Sequence, residues 1–503
     1  MDAKIFYDTL ECAARLCDAR AEVPIETEIL IPDYLPQVFK IVKCFAFPVV
    51  LHKQPAAGRL TLEGYLRCVV FYQAEQDQAL CTAEQKLPFS KVVELPEYQG
   101  QWVNVTAAGE VEYLNCRAVN QRRIDIRGAC VLTVRATAQQ DCQVVTALAE
   151  AGLEQKLASL ESLQQVGLTD KLITAEEEVR FDQPPQSVLQ ITGSAAIQEV
   201  KLVSGKAVVK GQVRANVLYT AGGSLLEEEK LVPFSQILDM DGVDEDCSWG
   251  GWAEVTGCAL LAAAGEAGES LSVSVLLHLQ AWRMARRSLV TDAFSTQYET
   301  VLERQAVTTS TLQARLCETV SASCEGQLPD EGAQVLVCLG TVCPPELAPD
   351  ENGGCLLRGR AVAHIICLNS LGELECYDRA CEYQLPQGWD CPPEQLDLSV
   401  GAALVSATAR KEGGEAQAKL EIQLSGAITR RSQTQLVTGV ECGQEWPGDP
   451  YGVALRIYYA QAGEDVFDIA SRYHASPAAI LQAAGLEEPV LPQAARLLIP
   501  VTG

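Results

Sequence analysis

The sequence predicts a mainly β protein: tandem antiparallel sandwich-like repeats with short helical junctions, closed by a small C-terminal βααβ module. Three observations carry this reading. A block recurs at intervals of about 147 residues, residues alternate apolar and polar within each block, and the pattern changes to helical spacing near the C-terminus.

Residues 1–23 read as an N-terminal helical segment ahead of the first repeat. The repeats follow. Gly58 to Ser90, "GRLTLEGYLRCVVFYQAEQDQALCTAEQKLPFS", lines up with Gly205 to Ser235, "GKAVVKGQVRANVLYTAGGSLLEEEKLVPFS". In both, two glycines six apart (Gly58 and Gly64, Gly205 and Gly211) are followed eight residues later by Tyr72 or Tyr219, then by Pro-Phe-Ser. A third, divergent copy starts at Gly353, where Gly353 and Gly359 keep the spacing, Cys367 replaces the tyrosine and Glu382-Tyr383-Gln384 replaces Pro-Phe-Ser.

Upstream of the glycines stand the apolar signatures "VFKI" at Val38, "VLQI" at Val188 and "VLVC" at Val335. Downstream come alternating runs from Arg123, Ser270 and Ala418, the mark of half-buried strands. Gly222-Gly223 between two apolar runs, and Asn369 with Gly372, predict hairpin turns. Each repeat then holds about 110 to 125 residues of antiparallel sandwich. The boundaries expected are 24–150, 175–293 and 294–443, the last rich in cysteine. A helical junction is expected over 151–174, where Leu153, Leu157, Leu160 and Gln164 have helical spacing among strong helix formers. Thr169-Asp170 and Thr291-Asp292 read as boundary turns, and the polar junctions predict repeats that fold independently.

Composition narrows the function classes. Among 503 residues, 66 are acidic and 39 basic, a formal charge of −27 that repels phosphate backbones and anionic lipid. Nucleic acid and direct membrane insertion are therefore poor expectations, and no apolar run approaches the roughly 20 residues that span a bilayer. The N-terminus has no basic flank followed by an apolar core, so the protein is expected to stay inside the cell. Most of the 20 cysteines sit in apolar strand contexts such as "VLVCLGTVC" and "AHIICLNS", as small hydrophobes, with crosslinking in an oxidising assembly as the sharper alternative. With no C-x-x-C and four scattered histidines, no metal, cofactor or catalytic residue is expected. No nucleophile elbow, phosphate loop or H-E-x-x-H motif is present, so a scaffold outranks an enzyme.

The tail, 453–503, reads as strand, helix, helix, strand. "LRIYYAQAG" from Leu455 is a short strand, and Asp465 caps a helix burying Val466, Ile469, Ala470 and Tyr473. Ser476-Pro477 opens a second helix burying Ile480 and Leu481, and "ARLLIP" closes the module. This order, with its G-[DE]-x-φ-x-x-I-A and L-x-I-P stretches, resembles a LysM module from about Tyr458 to Val501. Such modules bind N-acetylglucosamine polymers between the loop before the first helix and the loop after the second. Here Ala484, Ala494 and Ala495 stand where the pattern has asparagine, glycine and glutamine, which removes amide hydrogen bonds from a sugar groove. A protein-binding face is expected instead on Gly463, Glu464, Asp465, Val466, Phe467, Ala484, Gly485, Leu486 and Glu487.

The glycine pairs, Leu218-Tyr219 and Pro233 to Ser235, followed by one LysM-like module, resemble the SipL-like spore morphogenesis proteins, whose repeats are called SPOCS domains. The resemblance implies a non-enzymatic adaptor of endospore envelope assembly, made in the mother cell cytoplasm and placed at the forespore surface or spore coat. It implies docking through the LysM-like module onto a coat morphogenetic ATPase of the SpoIVA type, and leaves self-association through the β repeats open. The alternative is a peptidoglycan-binding or glycan-binding LysM protein of the envelope.

Overall fold

Residues 4–76, 78–98, 102–149, 152–262, 269–328, 330–448, 453 and 455–500 are described by a computed structural model. Its first repeat opens on a 27-residue strand, β1 (Lys4–Leu30), and closes on another, β6 (Arg123–Ala149), paired antiparallel along their whole length. Between them run the meander β2 (Val38–Ala56), β3 (Arg59–Ala74), β4 (Leu80–Glu94), and then β5 (Val103–Asn120). The sheets β2-β3-β4 and β1-β6-β5 form a sandwich around Leu60, Leu62, Leu66, Tyr72, Ile124, Ile126 and Leu132, all fully buried.

The second repeat copies this plan: β7 (Leu153–Val179), β8 (Ser187–Val203), β9 (Lys206–Ala221), β10 (Ser224–Asp239), β11 (Ser248–Ala262) and β12 (Glu269–Ser295) give sheets β10-β9-β8 and β11-β12-β7. The third has β13 (Tyr298–Gln327), β14 (Gln334–Val342), a short β15 (Glu346–Pro349), β16 (Cys355–Leu368), β17 (Leu374–Trp389), β18 (Leu396–Glu412) and β19 (Glu415–Glu445). Its sheets are β13-β19-β18, and β14, β15 and β17 around β16.

The recurring motif is explained by packing. Gly58, Gly205 and Gly353 have φ of +77°, +70° and +85°, the left-handed turns that start the strands β3, β9 and β16. The second glycine of each pair lies opposite the aromatic residue of the later block: Gly64 faces Phe89, Gly211 faces Phe234 and Gly359 faces Tyr383. A Cβ on Gly211 would stand 2.3 Å from the Phe234 ring and from the Ala196 carbonyl oxygen, and one on Gly359 would stand 2.3 Å from the Tyr383 ring. The aromatic covers the backbone that glycine leaves bare, so Tyr383 is a substitute in role for phenylalanine. Tyr72 and Tyr219 are buried core residues with satisfied hydroxyls, Tyr72 donating to the Pro36 carbonyl over 3.0 Å and Tyr219 to Glu228.

Four expectations are corrected. Residues 4–30 are strand, not an N-terminal helix, and 153–179 are strand, not a helical junction. In both, helix-forming residues are overridden by a full-length partner: β1 pairs with β6, and β7 with β12 from Leu153 opposite Ser295 to Val179 opposite Glu269. Repeat boundaries follow this pairing and fall at 4–149, 153–295 and 298–445. Thr169-Asp170 lies inside β7, and Thr291 is the extra residue of a bulge in β12.

The repeats do not stand apart. Beyond the third strand of each outer sheet, the long pairs continue as two-stranded ribbons, and these meet. Val145 and Leu148, Val290 and Ala293, and Val437 and Val440 share one apolar cluster; Val144, Leu289 and Leu436 share the next. Phe71, Leu218 and Ile366, equivalent by spacing, join in another. Each ribbon carries the same bulge, at Thr146, Thr291 and Thr438, whose hydroxyls donate to the facing carbonyls of Phe6, Lys156 and Glu303 over 3.2, 3.2 and 3.3 Å. A bulge bends and twists its strand. Three identical bends bring three ribbons onto a common seam.

Candidate partner-binding site

The tail module folds as its sequence reads. Strands β20 (Leu455–Ala460) and β21 (Ala495–Pro500) pair antiparallel, and helices α1 (Val466–Arg472) and α2 (Pro477–Ala484) lie between them. The Asp465 side chain accepts from the Phe467 N–H over 2.8 Å, capping α1, and Gly485 ends α2 at φ +64°. Ser476 precedes Pro477 in extended backbone, without a side-chain cap bond. Val501 lies outside the described residues.

The two predicted loops come together. Gly463 N–H donates to the Leu491 carbonyl over 2.8 Å, Val466 N–H to that of Pro489 over 2.8 Å, and Leu491 N–H to that of Glu464 over 3.0 Å. Glu464 accepts from Gln461 N–H and the Tyr458 hydroxyl, which together hold its carboxyl below the usual range. Gly463, Gly485 and Glu487 are exposed, Ala484 and Leu486 half-buried.

Val466 and Phe467, however, are core. They are 0% and 7% exposed, and Phe467 packs against Phe294 at the end of β12, ring centroids 5.1 Å apart and planes at 67°. Lys156 of β7 reaches Asp465 over 2.5 Å and Asp468 over 3.5 Å, and lies 5.8 Å above the Phe467 ring. Its hydrogen bond to Asp465 raises the lysine pKa further. His474 Nδ1 lies 2.9 Å from the Ser295 carbonyl oxygen, and its ring stacks on Trp446 at 3.8 Å. The α1 side of the expected face is therefore occupied by the second repeat's ribbon, and Phe467 anchors the module within the chain.

A different face is open. Leu455, Ile457 and Tyr459 on β20, with Leu498 opposite Ile457 on β21, are 55%, 57%, 76% and 37% exposed. Sequence reasoning placed the strand but not this face, because both faces of "LRIYYA" carry apolar residues and alternation alone cannot choose between them.

Two clusters, each built on a buried histidine, have the residue types of chemistry. His364 Nδ1 lies 2.7 Å from Asp378 Oδ1 and Nε2 3.0 Å from the Thr341 hydroxyl, with Cys376 completing a group whose ligand atoms lie within 4.8 Å of one another. Lys43 of the first repeat already pairs with Asp378, placing a cation there, and the imidazole is 5% exposed, edge-on to Phe45. The hydrogen-bond chain satisfies a buried ring at the seam. In the second cluster Asp170 bridges His278 Nδ1 (2.7 Å) and Lys53 Nζ (2.9 Å), with Trp252 stacked on the imidazole at 4.5 Å. Lys53 belongs to the first repeat, so this cluster ties it to the second beside a cavity of about 280 Å³.

Compared with known families, residues 37–119 and 184–258 match the family described as SipL, SPOCS domain. These two segments are SPOCS domains. They span β2 to β5 and β8 to β11, the parts that hold the glycine pairs and the facing aromatics. That makes the chain SipL-like and sporulation-related, and the SPOCS domain is not known as an enzymatic domain. No curated protein and no solved structure matches the chain. The third repeat and the tail module lie outside both matched segments. Among the described residues, no helix is long and apolar enough to cross a membrane.

Proposed function

We propose that this protein is a non-enzymatic adaptor of spore envelope assembly, in which three fused β repeats form a platform that presents the LysM-like module to a protein partner. The observation that carries the reading is the apolar stripe of Leu455, Ile457, Tyr459 and Leu498 on a module whose opposite side is fastened to the platform. An open aromatic and aliphatic centre suits a protein interface. The SPOCS domains support a partner in the spore coat, and the partner we propose is a coat morphogenetic ATPase of the SpoIVA type, met in the mother cell at the forespore surface. Gly463, Glu464, Gly485 and Glu487 lie at the polar edge of the same module, with Leu486 half-buried beside them, while Val466 and Phe467 support it from inside.

Capture from sporulating cells with the full chain tests this. Ile457→Asp, at an exposed position, should leave the fold intact and abolish recovery of the ATPase. Undiminished recovery, or binding of N-acetylglucosamine oligomers that competes with it, would overturn the adaptor reading.

A further inference from the structure

One cysteine pair bridges the two sheets of a sandwich. In the third repeat, Cys381 Sγ of β17 lies 2.7 Å from Cys324 Sγ of β13. It joins strands of different sheets: β17 belongs with β16 and β13 with β19. Cys12 and Cys142 are placed differently. Cys142 faces Leu10, one step off the register of Cys12, which faces Gln140. Such diagonal neighbours stand about 7–8 Å apart at Cα, beyond the roughly 4.4–6.8 Å that a disulfide spans.

We propose that Cys324–Cys381 is a site of covalent modification, closing to an intramolecular disulfide that latches the third sandwich when the protein meets a small-molecule disulfide oxidant. Cys324 is half-buried while Cys381 is buried, so Cys324 is the member an oxidant reaches first. The outer thiolate attacks oxidised glutathione and releases one glutathione. Its neighbour then attacks the protein sulfur of the mixed disulfide and releases the second. One protein disulfide forms, one glutathione disulfide is reduced to two thiols, and the two thiol protons pass to the departing glutathiones.

The second repeat has no such pair among its described residues. Its Cys247 lies against Asp244 over 3.1 Å, and Cys258 sits on β11. Latching therefore strengthens the last sandwich and leaves the middle one, which holds the tail module, closed by packing alone.

The test treats the reduced full chain with oxidised glutathione, alkylates the remaining thiols and identifies linked peptides by mass spectrometry. The expected product is Cys324–Cys381 within a monomer, with Cys12 and Cys142 alkylated. The denaturant midpoint should rise on oxidation in the wild type and stay unchanged in Cys324→Ser. Glutathione left as a stable adduct on Cys324, disulfide-linked dimers, a dominant Cys12–Cys142 link, or an oxidised wild type with an unmoved midpoint would each overturn the proposal.

Discussion

Replacing Phe294 by alanine should loosen the tail module from the platform while leaving the first and third repeats as they are. Phe294 is 4% exposed and belongs to the module's own core cluster, with Val466, Phe467, Ile469 and Leu497. Truncating a buried phenylalanine costs about 3–5 kcal/mol, but part of that is lost within β12. The share that crosses to the module is the edge-on contact with Phe467, about 0.5–1.5 kcal/mol beyond area burial, plus the apolar area that the two rings cover. The Lys156 ion pairs add less, because the lysine side chain is 38% exposed and screened by water. A docking loss of about 1.4 kcal/mol is tenfold in an equilibrium constant. Hydrogen exchange reads it directly: the Ile469 amide, bonded to the Asp465 carbonyl, should exchange roughly tenfold faster in Phe294→Ala, and amides of β3 and β16 at the wild-type rate. Lys156→Ala should give a smaller change in the same amide. Wild-type exchange across α1 in Phe294→Ala would refute the claim that this ring holds the module, and a larger effect from Lys156→Ala would reverse the ranking of ring over charge.

The platform is open to simpler tests. Gly211→Val should abolish soluble expression, since even a Cβ there meets a carbonyl and a ring at 2.3 Å, whereas Gly223→Ala, in a turn with nothing within 4 Å, should cost only its positive-φ strain. Thr291→Val keeps the volume and removes the hydroxyl that donates to the Lys156 carbonyl; a loss of about 1 kcal/mol is expected, measured by denaturant midpoint, and no loss would mean that the bulge holds without it. The His278 cluster predicts a pH dependence. Burial and the Lys53 charge push His278 down, but Asp170 and Glu254 outweigh them and hold it above its ordinary value; burial pushes Asp170 up, but His278 and Lys53 hold it well below. The raised histidine contributes stability that is full below about pH 6.5 and lost as pH rises through its folded value. The depressed aspartate contributes above about pH 4 and fails in acid. Unfolding midpoints should therefore fall from pH 6 upward in the wild type and lack that component in His278→Gln, and identical profiles would refute the linkage.

Much of this was legible in the sequence, and the failures have one cause. The glycine spacing, the Tyr72 and Tyr219 positions, the hairpins at Gly222-Gly223 and Asn369 to Gly372, and the βααβ tail are local signals, and the structure places each where its chemistry requires. What local signals could not give is pairing at long range. "ECAARLCDARA" and "LEQKLASLESL" are rich in helix formers, yet they extend because their partners lie more than a hundred residues away. One overlooked signal did exist: an apolar residue, valine and threonine at 144–146, 289–291 and 436–438, the three bulges that join the repeats. In the tail, Phe467 read as surface because its partner, Phe294, belongs to another repeat.

The same threefold arrangement explains why the tail module sits where it does. Aligning the ribbons on Val145, Val290 and Val437 offers the module three equivalent landing sites, and the sequence distinguishes them. Where the second ribbon has Phe294, the first has Ala149 and the third Glu441. Lys156, opposite Asp292, corresponds to Phe6 opposite Ala147 and to Glu303 opposite Gly439. The first ribbon thus lacks both the aromatic facing Phe467 and the cation facing Asp465 and Asp468, and the third would set two carboxylates against them. Attraction at one site and repulsion at another fix the choice, as specificity between equivalent surfaces requires. Exchanging the pair, with Phe294→Ala and Lys156→Glu on the second ribbon and Glu441→Phe and Glu303→Lys on the third, should carry the module's protection to the third ribbon as far as its tether from Glu445 allows. Protection that stays on the second ribbon would mean that the tether, not these four residues, sets the address.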